Sequence, residues 1–430
     1  MEIEQYTRNR RAGLKTVFRS LRHRNYRLFF VGQGISLIGT WMQQIAMIWL
    51  VYSLTNSVFL LGIVGFASQI PAFFFAPVAG ALVDRWNRHR IIVATQTLSM
   101  LQAMVLALLV FTGFIDVWHI ALMSVVLGFI NAFDMPARQA FIVEMVDDKR
   151  DLGNAIALNS SIVNGGRLIG PSIAGVLIAT VGAGMCFFIN GLSFIAVIVA
   201  LFAMKVTPPK IENKRTHIIR ELREGFSYAF GFAPIRYIIL LLGLVSLVAM
   251  PYQLLMPVFA SNILHGGPEI LGLLTAASGI GALAGAIYLA SRSSSLKLGR
   301  IIPVAAGIFG AGLIAFSLSN ILAVSLLFMV LTGFGMMVQL TSSNTILQHI
   351  VDDDKRGRVM AFFAMAFVGT TPFGSLLAGS LADAIGAPNT LIVGGICCII
   401  GAIIFLRKLP TLIKLAHPVY ERKEITRVAG

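Results

Sequence analysis

The chain has 430 residues, of which 57% are hydrophobic and only 12% are charged. Its mean hydropathy of +0.83 excludes a water-soluble globular protein. An apolar segment needs roughly 20 residues to cross a bilayer. The residues that give the formal net charge of +15 at pH 7 must therefore lie mainly between such segments.

The N-terminal segment, residues 1–27, carries eight Lys and Arg residues and lacks the apolar stretch of a cleavable signal peptide. Residues 14–28 combine apolar and basic side chains in the way that is typical of a helix lying on a membrane surface. We predict that 1–27 is a cytoplasmic amphipathic segment.

Apolar runs interrupted by Gly, Pro or charged residues predict twelve membrane spans. The first six lie near 28–53, 58–83, 91–111, 118–136, 156–179 and 185–204. The other six lie near 237–261, 269–291, 300–318, 321–346, 359–382 and 389–406. The predicted fold is an all-α membrane protein of two six-helix bundles, with an N-terminal bundle at 28–206, a cytoplasmic linker with an amphipathic helix at 207–236, a C-terminal bundle at 237–406 and a cytoplasmic basic tail at 407–430.

The basic residues occupy one side of this predicted arrangement. Of the 34 Lys and Arg residues, 33 lie in the tails or in connections that follow even-numbered spans. Odd-numbered connections, such as 53–57, 112–119 and 261–268, contain none. The positive-inside rule then places both termini in the cytoplasm. Topology and contact with anionic membrane lipids explain the basic surface, so no nucleic-acid partner is expected.

The connection after span two contains the string Gly80-Ala-Leu-Val-Asp84-Arg85-Trp-Asn87-Arg88-His89-Arg90. A small residue at Gly80 lets a neighbouring helix approach, Asp84 can accept hydrogen bonds, and the arginines can latch the elements of a gate. The string resembles the GxLxDRxGR signature of the major facilitator superfamily, with Asn87 where that pattern has Gly. The resemblance covers nearly the whole chain and implies a twelve-helix, alternating-access transporter in which this loop stabilises the outward-facing state.

Asp134 lies near the inner end of span four. We predict that it pairs with Arg85 or Arg88 as a charge relay at the gate, and the alternative role is that of a proton carrier. The antiporter pattern of the superfamily has an arginine four residues before a glycine in span four. Here the residue four positions before Gly128 is Ser124, which puts that proton-handling arginine in doubt.

Span five contains the string Gly166-Arg167-Leu-Ile-Gly170-Pro171-Ser-Ile-Ala174-Gly175. It resembles the GxxxGPxxGG signature of exporters in the superfamily, with Ala174 in place of one Gly. Close helix packing would also explain its small residues, and Pro171 bends the helix. The stretches 136–144 and 154–160 resemble a bacterial branch that contains the enterobactin exporter, macrolide efflux proteins and the lysophospholipid transporter.

Arg167 is the one basic residue that the cytoplasmic segments do not contain, and it lies roughly 16 Å along span five. A charge near the bilayer centre costs about 2.5–3.5 kcal/mol, so it should face the bundle interior. It either binds an anionic group of the substrate, such as a carboxylate, phosphate or catecholate, or is neutralised by Asp134 or by carbonyl groups beside Pro171.

Two amide side chains, Gln43 in span one and Asn164 in span five, are predicted to line the transport cavity, because polar groups are costly against lipid. The resemblance implies that these two spans line the pathway. For other polar residues, including Gln44 and Asn190, contacts between helices are an equal possibility.

The two halves of the chain resemble one another when the sequence is shifted along itself. An offset of about 205 residues aligns 146–150 with 351–356, and nearby it aligns Gly182 with Gly386. Parallel repeats of this kind place a substrate site at their interface near the bilayer midplane. Chance coincidence of small residues is the alternative explanation.

The sequence contains no GxxxxGK[ST] nucleotide-binding loop and no metal-spaced histidine pair, so we predict neither an enzyme nor a cofactor. We predict a monomeric secondary active transporter of the bacterial inner membrane. It exports an amphipathic or anionic small molecule, siderophore-like or drug-like, with protons as the coupling ion. The alternatives are a lysophospholipid or other lipid transporter and a non-transporting membrane sensor.

Overall fold

The computed structural model describes residues 18–83, 85–205, 218–292, 298–352 and 355–428. Within these ranges, twelve helical segments are long and apolar enough to cross a membrane. The predicted all-α fold with twelve spans is therefore confirmed.

The first six spans are single helices, and a short 3₁₀ turn at Arg19–Arg22 precedes them. They are α1 (Arg24–Thr55), α2 (Val58–Val83), α3 (Arg88–Phe111), α4 (Val117–Met145), α5 (Leu152–Val181) and α6 (Ala183–Phe202). Most of the predicted segment 1–27 lies outside the described residues. Helix α4 continues past its predicted end at 136 because its charged end finds partners: Asp134 pairs with Arg138, and Glu144 pairs with Arg88.

The second half begins with a helix that precedes span seven. The elements are α7 (Ile218–Gly231), α8 (Ala233–Val248), α9 (Tyr252–Val258), α10 (Pro268–Ala290), α11 (Leu298–Ser317), α12 (Leu322–Ile350), α13 (Arg356–Ala364), α14 (Thr371–Ile385) and α15 (Ala387–Val428). Spans seven and eleven are each interrupted: Pro251 lies between α8 and α9, and a π-helical turn at Met365–Gly369 precedes Pro372 in α14. Proline removes a helical hydrogen bond and clashes with the preceding turn, which accounts for irregular backbone at these points.

Contacts among the described residues define two compact units, one within residues 1–50 and 70–213 and the other within residues 51–69 and 214–430. In the first unit, a buried apolar cluster that includes Tyr26, Ile92 and Phe141 joins α1, α3 and α4. In the second unit, the early part of α2 packs on α14 so closely that a Cβ atom on Gly62 would lie 2.9 Å from the Cα of Gly379. The predicted bundle boundaries at 28–206 and 237–406 stay predictions.

Two glycines terminate corresponding helices in the two halves with nearly the same backbone conformation. Gly182 ends α5 with φ +89° and ψ 165°, and Gly386 ends α14 with φ +86° and ψ 153°. Only glycine adopts this region without strain. These are the residues that the repeat offset aligns, so the two turns support an internal repeat.

Candidate functional site

Helix α5 packs on α1 through two glycines of the exporter-type string. A Cβ atom on Gly170 would lie 2.6 Å from the Cβ of Trp41 and 2.8 Å from the carbonyl oxygen of Ile38, and one on Gly166 would lie 3.2 Å from Trp41 Cδ1. Larger side chains would force the helices apart. Pro171 and Gly175 are also buried, so the string has a packing role in this unit.

Arg167 lies between these two glycines and contacts the aromatic ring of α1. Its guanidinium carbon is 5.6 Å from the centroid of the Trp41 ring, which is a cation–π arrangement. The side chain is partly exposed. A guanidinium that lies over an aromatic face can donate paired hydrogen bonds to a carboxylate or phosphate in its own plane.

Polar side chains occupy accessible positions on both helices near this contact. On α5, Asn164 is half-buried and its Nδ2 donates a hydrogen bond to a backbone carbonyl one turn earlier, at 2.9 Å. On α1, Thr40 and Gln44 are exposed one turn apart. In a membrane span such groups belong against a water-filled cavity. The α1–α5 seam, which comprises Thr40, Trp41, Gln44, Asn164 and Arg167, is therefore the candidate substrate site.

Gln43 lies on the opposite side of α1 and is only 3% exposed. Its Nε2 donates to Gln102 Oε1 at 2.9 Å, and its Oε1 accepts a hydrogen bond from Asn190 Nδ2 at 2.8 Å. Both ends of the amide therefore join α1 to α3 and α6. In this structure Gln43 therefore has a packing role and does not take its predicted place in a cavity. Successive residues of a helix point about 100° apart, so the next residue along α1 has different surroundings. The accessible position belongs to Gln44.

Asp134 is buried and fully partnered. Its carboxylate accepts hydrogen bonds from Thr95 Oγ1 and Gln96 Nε2, both at 2.8 Å, and pairs with Arg138. The predicted pairing of Asp134 with a gate arginine or with Arg167 is wrong, because Arg138, one helical turn further along α4, takes that place. No group of three or more His, Cys, Asp or Glu residues among the described ranges could hold a metal ion.

The gate string forms the turn between α2 and α3 and the start of α3. Asn87 Oδ1 accepts a hydrogen bond from the backbone N–H of Arg90 at 3.1 Å and so caps α3. This is a physical reason for Asn at the position where the signature has Gly. Among the described residues, the space beside Gly80 is open, so the predicted close approach of a helix to Gly80 is not present in this conformation.

The charged residues of the gate string have different surroundings. Arg88 Nη1 lies 2.5 Å from Glu144 Oε1 of α4, whereas Arg85 and Arg90 are exposed. Asp84 lies outside the described residues. The ion pair ties the beginning of α3 to the end of α4, which is the mechanical connection that a latch at this position requires.

Three pairings were not predicted from the sequence, namely Trp41 with Arg167, Arg138 with Asp134 and Glu144 with Arg88. Arg138 could have been found, because residues four apart on a helix face one another. Trp41 carries no such local signal, since its contact with Arg167 joins residues that are distant in sequence.

Comparison with known proteins places these observations in a family. The chain matches the family model described as transmembrane secretion effector, MFS_3, over residues 15–420. It is 27% identical over 382 residues to the staphyloferrin A transporter of Staphylococcus aureus, covering 88% of this chain and 94% of that protein. It is 24% identical over 394 residues to macrolide efflux protein A of Streptococcus pyogenes, covering 89% of this chain and 96% of that protein.

The fold is also similar to that of a bacterial homologue of the iron transporter ferroportin in an inward-facing state. The TM-score is 0.69, with 16% sequence identity over 90% of this chain and 98% of that chain. At this identity the likeness concerns the fold alone. The family match confirms the resemblance that the gate and span-five strings indicate. The chain thus belongs to the transmembrane secretion effector family of the major facilitator superfamily, whose members are transporters and not enzymes.

Proposed function

We propose that this transporter exports an amphipathic organic molecule with an anionic group, siderophore-like or drug-like, from the cytoplasm of a bacterium across the inner membrane. The observation that carries the proposal is the placement of Arg167 over Trp41 within the accessible polar seam of α1 and α5. A charged residue in the middle of a span is unfavourable in lipid, so its presence there indicates a functional role.

The chemistry of the seam matches an amphipathic anion. The guanidinium of Arg167 suits a carboxylate, phosphate or catecholate, and the indole of Trp41 offers an apolar face for the rest of the molecule. Gln44 and Asn164 add amide groups that can donate or accept hydrogen bonds. The names of two relatives, a staphyloferrin A transporter and a macrolide efflux protein, support siderophore-like and drug-like cargo.

Protons are the coupling ion in this proposal, and Asp134 is the candidate carrier. Protonation of its carboxylate would break the ion pair with Arg138, and so would link a proton to the packing of α3 against α4. The absence of a nucleotide-binding loop from the sequence favours an ion gradient as the energy source. Both termini are cytoplasmic in this scheme.

The test is transport by purified full-length protein in proteoliposomes, with and without an imposed pH gradient. The panel contains siderophores, macrolide antibiotics and lysophospholipids. We expect an anionic siderophore or an antibiotic to move in response to the pH gradient. A transport rate that is the same with and without the pH gradient contradicts proton coupling. Transport of lysophospholipid alone assigns the protein to lipid transport.

The role of Arg167 is tested with two substitutions. Arg167→Gln should weaken the apparent affinity for an anionic substrate about 10- to 100-fold, since a hydrogen bond to a charged group contributes about 1.5–3 kcal/mol. Arg167→Lys keeps the charge but loses the paired geometry, so it should weaken affinity less. Arg407→Gln, which removes an exposed charge near the end of the last span, is the matched control and should transport normally. Unchanged affinity in folded Arg167→Gln protein removes the anion site from the proposal.

A further inference from the structure

A groove of about 710 Å³ lies on the first unit between α3 and α4, formed by residues that do not belong to the α1–α5 seam. Its walls are apolar, with Ile91, Ala94 and Leu98 from α3 and Phe129, Ile130 and Phe133 from α4. The start of α3 and the turn before it close one end with a different set of residues: Arg85, Trp86, Asn87 and Arg90. The groove is thus apolar along its length and cationic at one end.

The apolar walls are open to the surroundings of the protein. Leu98 is 50% exposed and Phe129 is 41% exposed. Along the same two helices, Leu101, Val105, Leu122 and Val126 are also exposed. A continuous apolar surface on membrane-spanning helices contacts lipid chains. A lipid chain therefore has direct access to this groove.

The side-chain oxygens of the two uncharged polar residues that line the groove, Asn87 and Thr95, already form hydrogen bonds within the protein. Asn87 caps α3 through its side-chain oxygen, and Thr95 Oγ1 donates its hydrogen to Asp134 at 2.8 Å. A polar solute would find few hydrogen-bonding partners along these walls, so the lining favours a hydrocarbon chain.

The cationic end has the composition of a binding site for an anionic head group. Arg88 is paired with Glu144, whereas no acidic residue of the described ranges forms an ion pair with Arg85 or Arg90, and both are exposed. Trp86, between them in sequence, is 54% exposed, and tryptophan favours the level of the lipid head groups. Basic pockets between membrane helices bind anionic lipid head groups.

We propose that this groove binds one anionic phospholipid from the membrane leaflet on the side of the turn between α2 and α3. The phosphate lies between Arg85 and Arg90, and an acyl chain lies along Ala94, Leu98 and Phe129. From Arg90 to Leu98 the groove follows α3 for about 12 Å, which leaves the chain in contact with protein well below the head group. Because Thr95 lines the groove and also holds Asp134, the bound lipid adjoins the Asp134–Arg138 pair.

The test measures lipid binding by purified full-length protein in detergent micelles. The probes are fluorescent phosphatidylglycerol, phosphatidylcholine with the same acyl chains, and glycerol 1-phosphate as a head group without chains. We expect phosphatidylglycerol to bind about tenfold more tightly than phosphatidylcholine, because each basic residue near the head group contributes to the attraction. The double variant Arg85→Gln/Arg90→Gln should lose this preference. Ala94→Phe, which fills the groove at an exposed position, should weaken the binding of both lipids.

The control variant Arg407→Gln/Lys408→Gln removes the same number of exposed charges elsewhere and should bind phosphatidylglycerol normally. An equal loss of affinity in the control means a diffuse charge effect and overturns the proposal. Undiminished binding by Ala94→Phe, or competition by glycerol 1-phosphate as strong as that of the lipid, also overturns it. If the glutamine variant fails to fold, Arg85→Lys/Arg90→Lys should keep the preference, and Ala94→Phe decides the apolar part.

Discussion

Two consecutive glutamines of α1 have opposite surroundings. Gln43 is hydrogen-bonded to Gln102 and Asn190 in the interior of the first unit, while Gln44 is exposed beside Trp41. Gln43→Leu should lower the free energy of unfolding by about 1–3 kcal/mol, because two buried amides lose a partner. Gln44→Leu should leave stability unchanged and weaken substrate affinity. Thermal unfolding in detergent and transport per folded molecule measure the two effects.

Each of these variants is the control for the other, since the substitution and the helix are the same. A Gln44→Leu protein that is destabilised as much as Gln43→Leu contradicts the assignment of the two faces. Normal substrate affinity in folded Gln44→Leu protein would remove this residue from the α1–α5 seam.

Asp134 is the second residue whose surroundings predict a measurable cost. Asp134→Asn leaves Arg138 without its carboxylate partner, and loss of one member of a buried ion pair costs about 3–5 kcal/mol. The double variant Asp134→Asn/Arg138→Gln removes both charges and should recover part of this loss. Chemical or thermal unfolding of the three proteins gives the comparison, and a double variant less stable than the single one contradicts the pairing.

Transport by the same variants tests the proton role separately from stability. If Asp134 carries the proton, folded Asp134→Asn/Arg138→Gln protein should exchange substrate across the membrane but ignore an imposed pH gradient. A gradient response of normal size in that protein assigns Asp134 a structural role alone.

The site was only partly predictable from the residues themselves. Arg167 stands out because no other Lys or Arg lies in the interior of a predicted span, and this follows from the cost of charge in lipid. Its contact with Trp41 depends on how α5 packs on α1, which no local pattern encodes. The direction in which Gln43 points depends on the rotation of α1, and a polar residue alone does not fix that rotation.

At the scale of elements, the segment before α1 is tied to the connection before α5. His23 Nδ1 lies 3.3 Å from Asp147 Oδ2, and His23 Nε2 lies 2.9 Å from Asp151 Oδ2. Arg19 and Arg22 also pair with Asp151, whose side chain is 1% exposed. The clustered charges fix the start of α1 against the start of α5.

Asp148, in the same connection before α5, contributes a fixed negative charge. A hydrogen bond from the Arg150 side chain lowers the pKa of Asp148 to about 2. Asp148 therefore stays ionised at neutral and mildly acidic pH, and its contact with Arg22, at 3.3 Å, persists over that range.

The second unit has a contact of the same kind at corresponding positions. Tyr228 of α7, the helix before span seven, donates a hydrogen bond to Asp352 Oδ2 at 3.0 Å. Tyr228 follows His23 by 205 residues, and Asp352 follows Asp147 by the same number. The aligned pairs thus use different chemistry for the same connection, which supports the internal repeat more strongly than matched glycines do.

The two contacts should differ in strength. His23→Leu removes a donor from buried Asp151 and should lower the free energy of unfolding by about 1–3 kcal/mol. Tyr228→Phe removes exposed hydrogen bonds to the side chain and backbone of Asp352 and should cost less than about 1 kcal/mol. Thermal unfolding in detergent measures both, and a Tyr228→Phe protein as unstable as His23→Leu contradicts this ranking.

Helix boundaries were less predictable than helix positions. Pro136 lies inside α4 and does not end it, because the following charged residues are held by ion pairs. The interruption of span seven at Pro251 could have been read from the sequence, since proline disrupts helices. The π-helical turn at Met365–Gly369 contains no proline itself, but Pro372 follows it and lacks the N–H group that would bond to the carbonyl of Val368.

For the whole molecule, hydropathy and charge were sufficient to predict twelve helical spans. Burial of apolar residues in lipid fixes where spans lie, and hydrogen bonding within the segment requires them to be helices in the absence of a closed barrel. Neither burial in lipid nor hydrogen bonding within a segment specifies which side chains contact each other between helices. This is why the all-helical fold with twelve spans was predicted correctly, while the contacts of the candidate site were predicted only in part.

The same charge distribution makes a prediction about orientation that labelling can test. Single cysteines at Trp86 and Arg356 should be inaccessible to an impermeant maleimide in intact cells, whereas single cysteines at Phe114 and Leu318 should react, because basic connections remain in the cytoplasm. All four positions are exposed, so access depends on the side of the membrane. The native Cys186, Cys397 and Cys398 are first replaced, and permeabilised cells show that every site can react. Labelling of Trp86→Cys in intact cells would show that the topology is the reverse of the predicted one, and would contradict the proposed direction of transport.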